Sequence, residues 1–238
     1  MTVTRAVLSS LLAGACVAVG GCATRVDGSA QPADTLGPTG TTTTTPTPTL
    51  VPAAGIADKL LKRDELGGIV GDTDMKDNAN VTKPELWTPG FVPEECVYRM
   101  LVAQSMNYGG QMAFAGNQAT GARGQIASQM IAVWTDRDQS RQKVRNAALN
   151  WGLCPDDAPF TYDSGHGVSH WTTGTITANE DTSRISTTAQ RQEPPPHTCA
   201  HVMAAQANVV VETSVCGDGD TLAAANTIAD RILAKVPQ

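Results

Sequence analysis

Six cysteines, four histidines and one Ser-Gly-His run are the residues of this sequence that could do chemistry. Cysteines bond in pairs or hold zinc as thiolates, and two histidines one helical turn apart can chelate an ion. The histidines form two pairs at that spacing, His166/His170 and His197/His201. Gly165, Gly167 and the prolines at 194–196 oppose a helix at both places. Along a strand, residues four apart are separated by about 13 Å, too far to share an ion. All four therefore read as surface or hairpin histidines, and no metal is expected. Asp163-Ser164-Gly165-His166-Gly167 has the residue types of a hydrolase nucleophile. Every histidine follows Ser164, whereas chymotrypsin-like and subtilisin-like orders place histidine first. The α/β-hydrolase order needs a G-x-S-x-G, which is absent. No catalytic residue and no cofactor is expected.

The cysteines sort by position. Residues 1–21 carry one charge, Arg5, ahead of an uncharged run, the pattern of a secretory signal peptide. Gly14, Gly20 and Gly21 dilute that run, which is short for a membrane span. Val19-Gly20-Gly21-Cys22 resembles a bacterial lipobox, whose small residues fit a peptidase and whose thiol takes a diacylglyceryl group. Cys16 is the weaker rival, because cleavage there leaves too short an apolar run. Lipidation is assigned to Cys22, with palmitate among the acyl chains, and two or more chains anchor stably. The predicted localisation is the cell membrane, lipid-anchored, on the extracytoplasmic face.

Four cysteines remain for the fold: Cys96, Cys154, Cys199 and Cys216. An even set in an exported protein reads as two disulfides. Residues 199–206 and 209–216 flank Ala207-Asn208. With those two as a hairpin loop, Cys199 faces Cys216 at a non-hydrogen-bonded position, within disulfide reach. Cys96 is then left for Cys154. None of the four lies in a CxxC, which argues against zinc.

The elements that must position these residues follow from composition and period. The chain has 238 residues, 41% apolar, 4% aromatic and 17% charged, with net charge −6. That excludes a collagen-like or wholly disordered chain, and the acidic balance speaks against nucleic acid. Residues 22–54 are rich in Thr, Pro and Gly, have nothing to bury, and read as a disordered tether open to O-glycosylation. Residues 55–238 make one domain. A weak helix over 57–70 leads to a polar loop with Asp72, Asp74 and Asp77. Lys76 and Lys83 stand where a calcium loop needs oxygen ligands, so this reads as a solvated turn. Pro93-Glu94-Glu95 opens a helix. Strands over 111–118 and 125–135 follow, the second apolar on both faces and hence central.

Asp136 or Asp138 caps a helix with Val144, Ala147, Ala148 and Trp151 on one face. Strands over 160–162, 168–178 and 184–191 precede the cysteine hairpin, the last two of them paired. A helix over 221–236, capped by Asp220, closes the chain. Helices and strands fall in separate runs, so the fold class is α+β, an antiparallel β-sheet packed with helices. Trp134, Trp151 and Trp171 fall on those patterns and are assigned to the core. Trp87, between Pro84 and Pro89 in a loop, is the ligand-contact candidate.

The ordered set resembles the PknH-type extracellular sensor domain, found outside a mycobacterial serine/threonine kinase and in related lipoproteins. The resemblance spans about 60–236. It is carried by Glu95-Cys96, Ile131-Ala-Val-Trp-Thr-Asp136, Asn150-Trp151-Gly-Leu-Cys154, Trp171-Thr-Thr-Gly-Thr-Ile176, and the stretch from Cys199 through Asn208 to Cys216. It implies an antiparallel sheet with helices, two disulfides and a deep cleft for an unknown ligand. No kinase domain accompanies it here, so only the binding module carries over. The expected function is a ligand-binding or sensor-like module of the bacterial envelope, monomeric and not an enzyme. Its partners are the membrane, through the lipid, and a small or lipid-like envelope ligand. The alternative is an envelope protein-contact or glycan-contact protein without a small-molecule pocket.

Overall fold

A strand apolar on both faces must be covered on both, and Val209–Gly217 buries Val209, Val210, Val211 and Val215. It lies in the middle of a ten-stranded sheet with antiparallel pairing throughout. The structure, a computed structural model, describes residues 49–85 and 88–237. The strands are β1 (Lys76–Val81), β2 (Phe91–Val92), β3 (Ala113–Thr120), β4 (Ile126–Val133), β5 (Pro159–Asp163), β6 (Val168–Thr173), β7 (Thr177–Ala178), β8 (Arg184–Arg191), β9 (His197–Gln206) and β10 (Val209–Gly217). Their order is β1-β3-β4-β10-β9-β8-β6-β5-β2, with β7 also on β8. The helices are α1 (Arg63–Val70), α2 (Val97–Met100), α3 (Arg137–Gly152) and α4 (Thr221–Leu233). The fold class is α+β, as the sequence indicates.

Alternation along β10 sends its side chains to two different layers. Val209, Val211 and Val215 pack with Ala225, Ile228, Ala229 and Ile232, the apolar stripe of α4. Val210 packs with Val144, Ala147 and Trp151 of α3. A third cluster gathers Val97, Phe160 and Trp171 around the Cys96–Cys154 disulfide. Both long helices start where the sequence places them. Asp136 accepts from the Gln139 N–H at 2.8 Å, and Asp220 from the Ala223 N–H at 3.0 Å. The hairpin register is also the counted one, with Gln206 opposite Val209 and Cys199 bonded to Cys216.

Three expectations change, each through a long-range contact. The helix foreseen over 57–70 splits into a 3-10 turn, Ile56–Lys59, and α1. Leu61 lies between them because its N–H and C=O both bond the buried Gln129 side chain, which diverts them from a helix. The loop foreseen as a solvated turn becomes edge strand β1, paired with β3. Its residues are almost all exposed, so no alternation marks it. Asp72 is buried, and the Arg123 N–H it accepts holds its carboxyl below the usual range. Packing begins at Val51, inside the segment read as tether. Asn208 in the hairpin loop takes the Val51 N–H at 2.8 Å and donates to its C=O at 3.0 Å.

Gly116 is among the glycines required by close approach. Gly116 of β3 sits opposite Met130, and a Cβ there would strike the Met130 sulfur and lie 2.9 Å from the Gln129 carbonyl oxygen. Gly116→Ala is expected to lower stability by about 1–3 kcal/mol, read as a lower urea midpoint with an unchanged slope. An unchanged midpoint would show that Met130 swings aside freely.

Candidate functional site

Strand period also decides which residues meet at the cavity. Ser128 and Met130 of β4 share a sheet face with Ser214 and Cys216 of β10, and that face borders a cavity of about 390 Å³. β9 adds His197 and Cys199, while β5 and β6 add Tyr162 and Trp171. The chain from Met100 to Gln104, where α2 runs out, walls another side. Ala79 and Val81 of β1, Gln118 of β3 and Ile126 of β4, with Glu85 and Thr88, line the rest. The volume falls in the range of small-ligand sites, about 300–1,000 Å³. Among the described lining residues, Glu85 and His197 are the acidic and basic side chains, so the site favours apolar surface over charge. Gln104 is 2% exposed; its amide donates to the Val102 carbonyl, while its oxygen has no partner among the described residues.

A buried acid–base cluster fixes the wall. His201 Nδ1 lies 3.1 Å from the Arg99 carbonyl, which can only accept, so Nδ1 carries a hydrogen. Its Nε2 lies 2.9 Å from Glu212 Oε1, so a further proton lies between imidazole and carboxyl. The other oxygen, Oε2, accepts from the Tyr108 hydroxyl at 2.6 Å and the Ala103 N–H at 2.7 Å. Glu212 is 0% exposed and His201 2%. Burial, and then the Glu212 carboxylate, push the Tyr108 hydroxyl well above its ordinary value, so it stays a donor. Ala103 has φ 62°, a left-handed conformation that costs about 1–2 kcal/mol. The carboxylate bond holds it there. The Ala103 carbonyl in turn accepts from the Glu85 N–H at 2.7 Å, which links the core to the cavity lining.

Arg99 secures the helix that leads into the wall. It is 2% exposed, and its guanidinium donates to Thr187 Oγ1, the carbonyls of Cys154 and Gly174, and the Asp156 carboxylate.

The structure brings some sequence-stated candidates together and separates others. Cys96 bonds Cys154 and Cys199 bonds Cys216, as the residue count implies. The surface reading of the histidines needs a correction. His166 and His170 are exposed and His197 is partly buried, but His201 is in the core because strand alternation turns it toward Trp151 and Glu212. Trp134 and Trp151 are core residues, while Trp171 is both buried and part of the cavity lining. Ser164 lies exposed in a turn, with His166 beside it bonding through its backbone N–H. Cys22 and Trp87 lie outside the described residues, although Glu85 and Thr88 line the cavity. Sequence reasoning missed Glu212, Arg99 and Tyr108. The available signal was a carboxylate inside a valine run, Val209-Val-Val-Glu212.

The fold has known relatives. The extracellular domain of PknH from Mycobacterium tuberculosis superposes with a TM-score of 0.70 at 19% identity, over 79% of this chain and 98% of that one. An uncharacterized protein of Mycobacterium smegmatis reaches a TM-score of 0.34 at 12% identity, over 77% and 97%, too distant to bear on the fold. No curated protein matches the sequence. The profile of the PknH-like extracellular domain matches residues 51–235. The chain belongs to the PknH-like extracellular domain family.

Proposed function

We propose that the protein is a lipid-anchored, extracytoplasmic module that binds a small or lipid-like ligand of the bacterial envelope and catalyses nothing. The observation that carries this reading is the cavity of about 390 Å³, bordered by Met100, Leu101, Ile126, Met130 and Trp171 with few ionisable groups. Apolar lining with a few polar atoms is what a largely hydrocarbon ligand needs. Membership in an extracellular-domain family supports placement outside the cytoplasm. Among the described residues, no helix is long and apolar enough to cross a membrane. Attachment is assigned to a lipid on Cys22 from the Val19-Gly20-Gly21-Cys22 run, with the residues that follow it as tether and the binding domain packed from Val51 onward. Trp87 is assigned to the ligand contact from its place between Glu85 and Thr88. Burial of the acid–base cluster supports the non-catalytic reading. The His201–Glu212 pair is sealed in the core, where no substrate reaches it.

Mass spectrometry of the protein isolated from its own membranes tests both parts. The intact mass is expected to be that of residues 22–238 plus acyl groups. Under native conditions a bound lipid-sized molecule is expected, and Ser128→Phe, which adds a ring against the cavity, is expected to lose it. A polypeptide without added lipid removes the anchor. An empty cavity with co-purifying proteins or glycans favours a contact surface instead.

A further inference from the structure

The two disulfides sit in different surroundings. Cys96 and Cys154 are wholly buried, whereas Cys199–Cys216 borders the cavity and Cys216 is partly exposed. β9 and β10 do not need that bond to stay side by side. β9 is paired along its length with β8 and β10, and β10 with β9 and β4. His197 stands two residues before Cys199 on the same strand face. A ring nitrogen of His197 and the two sulfurs all lie within 4.8 Å of one another. The imidazole packs edge-on against Trp171 and makes no hydrogen bond to a described residue.

We propose that His197, Cys199 and Cys216 form a redox-gated site for a thiophilic metal ion such as Zn²⁺, closed as the disulfide and opened by reduction. The reductant is a protein dithiol of the thioredoxin class. One of its thiolates attacks Cys216 Sγ, the more accessible sulfur; the S–S bond breaks and Cys199 leaves as a thiolate, taking a proton from water. The second dithiol sulfur then displaces Cys216 from the mixed disulfide. Two electrons have passed to the protein, and the dithiol has become a disulfide. Zn²⁺ displaces the thiol protons and adds the His197 nitrogen, at about 2.3 Å for sulfur and 2.0–2.1 Å for nitrogen. Three protein ligands leave a fourth position for water or for a donor atom in the cavity. Two thiolates and an imidazole select a thiophilic ion over calcium or magnesium. The proposal does not depend on what fills the cavity.

The test is anaerobic treatment of the protein with dithiothreitol, removal of the reagent, and titration with Zn²⁺ against a coloured chelator. One Zn²⁺ per chain is expected after reduction and none before it. Alkylation mapped by mass spectrometry is expected to mark Cys199 and Cys216 while sparing Cys96 and Cys154. Reduced His197→Ala is expected to bind Zn²⁺ more than about tenfold more weakly. Near-UV circular dichroism must stay native throughout. Three results overturn the proposal: a folded, reduced protein without stoichiometric Zn²⁺, affinity unmoved by His197→Ala, or unfolding upon reduction of Cys199–Cys216.

Discussion

Replacing Glu212 by alanine is expected to lower the unfolding free energy by about 3–5 kcal/mol, the usual cost of breaking a buried pair from one side. Three donors or protonated partners lose their acceptor at once: His201 Nε2, the Tyr108 hydroxyl and the Ala103 N–H. Each is buried, so none gains water in exchange. For a domain of this size the melting temperature should fall by roughly 2–4 °C per kcal/mol. Glu212→Gln is the informative control. Its oxygen can take the two bonds of Oε2, while its amide donates to His201 Nε2, with the Nδ1 hydrogen still on the Arg99 carbonyl. All four bonds survive with a neutral imidazole, so the loss should stay below about 1.5 kcal/mol. Equal losses for alanine and glutamine, measured by urea unfolding, would mean that the negative charge rather than the bonding pattern is what the core requires.

Arg99→Met should cost at least about 3 kcal/mol, because it leaves buried acceptors of the guanidinium unpaired at about 1–3 kcal/mol each. Those acceptors include the carbonyls of Cys154 and Gly174 and the Thr187 hydroxyl. Methionine has nearly the length of the arginine stem, so the change tests the bonds more than the volume. A surface pair supplies the contrast. Arg63 and Asp77 lie 3.3 Å apart with side chains 55% and 52% exposed, so Arg63→Met should change stability by no more than about 1 kcal/mol. Arg99 also orients the turn that runs into residues 101–104. Amide exchange at Leu101 and Ala103 should therefore accelerate in Arg99→Met more than at Ile131 in the sheet centre. Uniform acceleration would show that Arg99 supports the whole domain and has no particular hold on the cavity wall.

Much of the fold is legible in the sequence because its causes are local or countable. Asp136 and Asp220 cap helices through side chains that reach only three residues ahead. The Cys199–Cys216 bond follows from counting outward from a two-residue loop, since register in a hairpin is set at its turn. Apolar residues on both faces of β4 mark it as internal to the sheet, where β3 and β10 flank it. Edge strand β1 is not legible, because a strand exposed on both sides carries no alternation and is defined only by its partner.

The site divides along the same line. The four cysteines from Cys96 to Cys216 already imply two disulfides and, with the motifs around them, the family resemblance, because cysteine spacing and strand period survive in the linear order. Which histidine is buried, what holds Ala103 left-handed and where the cavity opens were decided by the tertiary structure alone. Ala103 and Glu212 are 109 residues apart, and Arg99 and His201 are 102 apart. Sequence period gives the face on which a side chain stands, whereas its neighbours across that face depend on how distant strands are ordered in the sheet. That ordering turned an isolated carboxylate in a valine strand into the clamp of a ligand-sized cavity.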